Sequence, residues 1–198
     1  MHKALLKVFN QYPQTAAPFM HQQLAEWKKS RPLEGLKVLH HVPVVTNTLL
    51  KIACIFAAGA EITVTNPSTF CQADPEAIDC LNQANIPYIE NPETLSGKQF
   101  DLYFDCGAQL YQCLGKPKIG AIELTGSGDQ FYRQQTLDVP VISIDRSLTK
   151  QLETVFGCAE SCHQALAKLA RINPSSISWL IFGFGKIGRG LRRVWTTV

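Results

Sequence analysis

No stretch of this 198-residue chain approaches the roughly 18 consecutive apolar residues that a membrane-crossing helix needs, so no membrane is expected as a partner. The opening MHKALLKVFNQYPQ also lacks the apolar core and small-residue cleavage site of a secretory signal, and the chain is expected in the cytoplasm. Seven cysteines are scattered without a C-x-x-C pair. An odd number without zinc-like spacing reads as reduced thiols and excludes a disulfide framework. Cys158 and Cys162, one helical turn apart with only His163 beside them, read as core-facing thiols, and no metal is expected. Charge of one sign is scarce too. A net charge of +3 is too small to imply a nucleic-acid partner, and the run Lys186, Arg189, Arg192, Arg193 reads as a solvated helix face. There is no internal repeat and no low-complexity tract.

What is there is an ordinary globular balance, 45% apolar and 18% charged, able to bury a substantial core. The most informative segment is SWLIFGFGKIGRG, 178–190. Trp179 to Phe182 read as a short buried strand, and Gly183, Gly185 and Gly188 follow at G-x-G-x-x-G spacing. In a dinucleotide-binding turn the first glycine allows the bend, the second lets the backbone approach a pyrophosphate, and the third lets helix and strand pack closely. The new helix would direct free N–H groups at the phosphates. Only ten residues follow Gly188, whereas the acidic residue that holds the ribose is expected about 20 residues on. The fingerprint therefore reads as the opening of a nucleotide-binding domain, and the end in VWTTV as that of a fragment, a frameshifted product or a trimmed piece.

Before it, strand and helix signals alternate. Residues 1–34 read as amphipathic helix, clearest over 18–29. Strands are expected at 36–42, 61–65, 86–90, 100–106, 118–124 and 139–145, with helices over 46–60, closed by Gly59, and 75–85, capped by Asp74 ahead of Pro75. Residues 91–99 and 125–130 read as loops, and a long helix runs from the cap Ser147 to Ile172, stopped by Asn173-Pro174. Such alternation predicts an α/β fold, a parallel Rossmann-like sheet of residues 36–145 flanked by helices on both faces. Ligands of such sheets bind beyond the carboxyl ends of the strands, here the loops 40–47, 66–70, 105–109, 125–129 and 145–150.

Those loops, in that order, resemble S-adenosylhomocysteine hydrolase over nearly the whole chain. PLEGLKV (32–38) looks like the family's entry to its first strand, and AAGAEITVTNPSTF (57–70) is similar to its "ALGAEV…CNxF". DRSLTK followed by FGCAES (156–161) resembles "NDSVTK…YGCxES", and GFGKIGRG resembles "GYGDVGKG". The resemblance implies a substrate domain with its hinge helix over 1–172, the opening of an NAD-binding domain over 173–198, an adenosine-like small molecule as ligand, and a homo-oligomer. It also implies a reaction: bound NAD oxidises the substrate ribose, a proton leaves the adjacent carbon, homocysteine is eliminated, water adds and the ketone is reduced. Positioned acids and bases must serve those steps.

Carried over one position at a time, most of those groups are replaced. "LHxTxQT" aligns with 42–48, putting Pro43 in place of the histidine and Val45 in place of the threonine. Only a re-registered loop would bring His40 or His41 to that position, and strand alternation turns one of the two into the packing. "DDGG" aligns with 105–108, so Cys106 replaces the functional aspartate, and its neighbour Asp105 reads as a cap for the following turn. "SEETTTG" aligns with 122–128, where Leu124 replaces the glutamate, Gly126 has lost one hydroxyl, and Thr125 and Ser127 keep theirs at the nicotinamide end. Lys150 matches the family's lysine, with Glu153 as the nearest counterpart of its aspartate; the pair also reads as an ordinary surface ion pair. The site expected from sequence is thus Gly183, Gly185, Gly188, Thr125 and Ser127 for cofactor, with Lys150 and Glu153 as catalytic candidates. Three readings stand: a degenerate hydrolase relative without turnover, an NAD-linked enzyme of altered chemistry completed by further chain, and a non-catalytic interaction module using an exposed α/β edge.

Overall fold

A computed structural model describes residues 2–69, 71–173 and 176–195. It divides into two compact units, Met1–Ser143 and Ile144–Val198. The first carries five strands: β1 (Lys37–His41), β2 (Glu61–Thr65), β3 (Leu102–Asp105), β4 (Gly120–Glu123) and β5 (Val141–Ser143). All neighbours are parallel, in the order β2-β1-β3-β4-β5. The expected fold class is therefore the observed one, an α/β sheet of Rossmann-like kind.

Helices lie on both faces because each face carries its own apolar set. On one side α1 (Lys3–Gln11), α3 (Thr48–Ala57) and α4 (Pro75–Gln83) pack Leu5, Ile52, Ile55 and Leu81 against Val38, Ile62 and Val64. Helix α2 (Pro18–Ser30) adds Met20, Leu24 and Trp27 at the margin of that core. On the other side α5 (Gln109–Leu114) and α6 (Gly126–Tyr132) set Leu110 and Tyr132 against Leu39, Tyr103 and Ala121. Each fully buried leucine or isoleucine contributes about 1.5–3 kcal/mol. The caps read from sequence form: Asp74 accepts the Glu76 N–H at 2.9 Å, with Pro75 in the first turn, and Gly59 closes α3 at φ 92°.

In the first unit three expectations change. Residues 86–90 make no strand, only the bridge Val64–Tyr88, since Pro87 has no N–H to extend a ladder. The supposed loop 125–130 is helical from Gly126, capped by Thr125, which accepts the Gly128 N–H at 3.1 Å. Residues 91–99 contain a 3-10 turn, Pro92–Leu95, started by Asn91.

The second unit is helical. Helix α7 (Leu148–Leu152), capped by Ser147, runs through a π turn, Glu153–Gly157, into α8 (Cys158–Lys168). The helix therefore ends four residues short of Ile172. The expected stop at Asn173-Pro174 lies partly outside the described residues. Residues 178–182 form no strand, because a strand needs a neighbour's ladder and no strand stands beside them among the described residues. Nor are their side chains all covered: Ile181 is half-buried, but Phe182 is 91% exposed. Helix α9 (Lys186–Trp195) does form after the glycine turn.

Candidate functional site

The carboxyl ends of β1, β3 and β4 carry four buried polar side chains: His40, His41, Asp105 and Glu123. Each carboxylate accepts hydrogen bonds from backbone and from a side-chain hydroxyl. Glu123 accepts N–H bonds from Gly107 and Ala108 at 3.0 Å each and from Thr125 at 2.7 Å, plus the Thr125 hydroxyl at 2.7 Å. It thereby ties the β3–α5 loop, where Gly107 and Ala108 both hold positive φ, to the start of α6. Gly128 is obligatory beneath it, since a Cβ there would sit 2.1 Å from the Glu123 carboxyl carbon. Asp105 accepts from Cys106 and Leu110 through Oδ1 and from Tyr111 and the Tyr132 hydroxyl, at 2.7 Å, through Oδ2. It is the cap expected from sequence. These buried acids shape the loops at the carboxyl end of the sheet.

The two histidines are committed as well. His41 Nδ1 lies 2.7 Å from the Thr65 hydroxyl and Nε2 lies 2.8 Å from Gln109 Oε1, while the Gln109 amide donates to Thr69. With Gln109 oriented so, Nε2 carries the proton and Nδ1 accepts from Thr65. Burial holds the His41 pKa below its usual value, against the raising effect of the Gln109 hydrogen bond and the nearby Asp105 and Glu123. His40 is completely buried with no hydrogen-bond partner on either ring nitrogen, and its ring lies 5.8 Å from that of Phe104. Burial, then the Lys51 charge, pushes its pKa well below 6.5. Strand alternation was expected to bury one of the pair; both are buried. Neither reaches the position that Pro43 occupies in the loop.

Sequence reasoning missed Lys51. It projects from α3 with Nζ 5.6 Å from the Phe104 ring centroid, and burial lowers its pKa to about 8. The one signal was a lysine amid the apolar run LLKIACIF.

The expected cofactor residues divide between the two units. Thr125 is spent on structure, bonded to Glu123, Gly107 and Gly128, and its hydroxyl lies 3.3 Å from that of exposed Ser127. In the second unit the glycine turn takes the shape its spacing predicts. Gly183 sits at φ 95°, a Cβ on Gly188 would meet the Gly183 carbonyl oxygen at 2.3 Å, and Gly185 faces open space. That turn fits a pyrophosphate. Lys186, a second potential phosphate partner, instead holds Asp145, with Nζ 2.5 Å from Oδ2 and 3.0 Å from the carbonyl oxygen. Lys150 pairs with Glu153 at 2.8 Å, as an i,i+3 surface pair does, and Glu153 is over half exposed. Among the described residues the cysteines form no disulfide, and no three His, Cys, Asp or Glu side chains gather as metal ligands. No helix among them is long and apolar enough to cross a membrane.

A parallel sheet with helices on both faces, ligand loops at its carboxyl ends and a G-x-G-x-x-G turn defines the class: a Rossmann-like α/β protein. Within that class the chain is similar to proteins named adenosylhomocysteinase and S-inosyl-L-homocysteine hydrolase. It is 24% identical over 189 residues to the S-inosyl-L-homocysteine hydrolase of Methanopyrus kandleri, covering 84% of this chain and 45% of that protein. To the adenosylhomocysteinase of Acinetobacter baylyi it is 24% identical over 188 residues, covering 81% and 40%. The chain thus spans less than half the length of these relatives. No family model matches it. Among solved structures, the CurK enoyl reductase overlaps with a TM-score of 0.45 at 19% identity, covering 92% of this chain and 57% of that one.

Proposed function

We propose that this chain is an adenosylhomocysteinase-like protein of the S-adenosylmethionine cycle that keeps the substrate-domain sheet and has no hydrolase activity. One observation carries the reading. Pro43, Cys106 and Leu124 stand where the resemblance calls for a histidine, an aspartate and a glutamate. Asp105 and Glu123 are buried and bonded to loop N–H and hydroxyl groups, and His40 and His41 are buried in the sheet. Proton transfer at the substrate carbon then lacks the three groups that the resemblance calls for, and each such group is worth about 10²–10⁴-fold in rate.

On this reading residues 1–172 descend from a substrate domain and 173–198 from the opening of an NAD domain. Gly183, Gly185 and Gly188, with the first N–H groups of α9, would hold the cofactor's pyrophosphate. NAD supplies hydride transfer when bound; in this chain its binding is weak. An adenosine-like molecule is the expected small ligand, the setting is cytoplasmic, and a homo-oligomer is the expected assembly. The deciding assay incubates the purified chain with S-adenosylhomocysteine and excess NAD and follows homocysteine release. None is expected; release above the uncatalysed rate refutes the reading.

The glycine turn favours a second reading, an NAD-linked enzyme of altered chemistry completed by further chain. Cofactor-dependent oxidation of adenosine without homocysteine release, in a version extended beyond Val198, would support it.

A further inference from the structure

The first half of β2 is a sheet edge with a groove beside it. Glu61 donates its N–H inward, to the Leu36 carbonyl at 2.8 Å. Val64 faces outward: its N–H donates to the Pro87 carbonyl and its carbonyl accepts from Ile89, both at 2.8 Å. A strand repeats every two residues, so Ile62 also turns its N–H and C=O outward. Beside Ile62 lies a groove of about 700 Å³. Its walls come from both faces of the sheet. Phe56 and Ile86 belong to the core on the α3 side, whereas Ile89, Leu95 and Phe100 belong to the core on the α5 side. The exposed rim carries two lysines, Lys37 and Lys98, against one carboxylate, Glu61. A groove floored by a strand edge and walled from both faces has the shape of a strand position. The Val64–Tyr88 bridge, made by the chain's own segment 87–89, shows that this edge can pair in parallel, and the pairing stops before Ile62.

We propose that this groove takes an extended peptide bearing acidic residues, which adds to the sheet beside Ile62 and sets its carboxylates against Lys37 and Lys98. The proposal does not depend on the hydrolase kinship. The groove lies at the amino ends of β1 and β2, opposite the end where ligands of parallel α/β sheets bind.

The test is an amide NMR titration of the full 198-residue chain with acetyl-Glu-Val-Glu-Val-Glu-amide. Saturable shifts centred on Ile62 and Thr63 are expected, with slowed hydrogen exchange at the Ile62 N–H. The basic peptide acetyl-Lys-Val-Lys-Val-Lys-amide, tried on the same unaltered protein, should bind at least about tenfold more weakly. The double variant K37E/K98E should lose acidic-peptide affinity by about the same factor, and K37R/K98R should keep it. Absence of saturation at millimolar peptide, or equal binding of both peptides, overturns the proposal. So would hexanoate reproducing the shifts at the same concentrations, which would make the groove a small-anion site. Ile62 protection that grows with protein concentration alone would assign the edge to a second copy and also overturn it.

Discussion

His40 from β1 and Lys51 from α3 approach one ring, Phe104, and among the described residues no carboxylate is paired with either. Both bases bind protons less readily in the fold than in the unfolded chain. The unfolded state therefore takes up more protons as the pH falls, and stability must fall with it. For His40 that loss begins near pH 6.5 and continues down to its depressed folded value, at about 1.4 kcal/mol per pH unit. For Lys51 the window lies between about 8 and 10.5, so at neutral pH it is charged at full cost. Lys51→Met should accordingly stabilise the protein by about 1–3 kcal/mol at pH 7, with a smaller gain above pH 10. Urea denaturation at several pH values reads both effects, and His40→Leu should flatten the slope between pH 5 and 6.5. Gly128→Ala tests the Glu123 clamp at the same scale. A methyl 2.1 Å from the carboxyl carbon must displace it, for about 2–3 kcal/mol of stability in the same denaturation experiment.

At the scale of elements, α9 meets the π turn through Gly190, where an added Cβ would lie 1.8 Å from the Val155 carbonyl oxygen. Gly190→Ala should therefore free α9, seen as faster hydrogen exchange over 186–195 with the sheet's protection unchanged. Lys150→Ala removes only an exposed ion pair and should shift stability by less than about 0.5 kcal/mol. Elements with two local signals were legible: α4 has both its cap and its proline, β2 its alternation and β-branching. The reading of 125–130 as loop followed glycine's poor helix propensity, but Gly128 is demanded by a carboxylate arriving from β4, information no local window holds. Residues 178–182 fail oppositely: the local pattern suits a strand, but pairing is a property of neighbours. At the candidate site the glycine turn was legible because its geometry is local. The Asp105 and Glu123 networks were only half so, since capping follows from sequence and cross-strand clamping does not.

At the scale of the whole molecule, nucleotide affinity depends on the contact area a site can bury. The turn at Gly183–Gly188 would supply backbone donors, but Lys186 is held by Asp145. Calorimetric titration should return an NAD dissociation constant of about 1 mM or weaker, little more than 4 kcal/mol. Asp145→Ala would release Lys186 and should tighten binding a few-fold; micromolar affinity in the unaltered chain would contradict this.

Glu123 joins Gly107, Ala108 and Thr125 into one buttress that touches neither Pro43 nor Leu124 through its hydrogen bonds. On the proposed function, scaffold and reactivity are thus encoded at separate positions. Selection on folding alone would preserve Glu123 and Gly128 and leave Pro43, Cys106 and Leu124 free to drift. A lineage built this way can abandon its chemistry without passing through an unfolded ancestor.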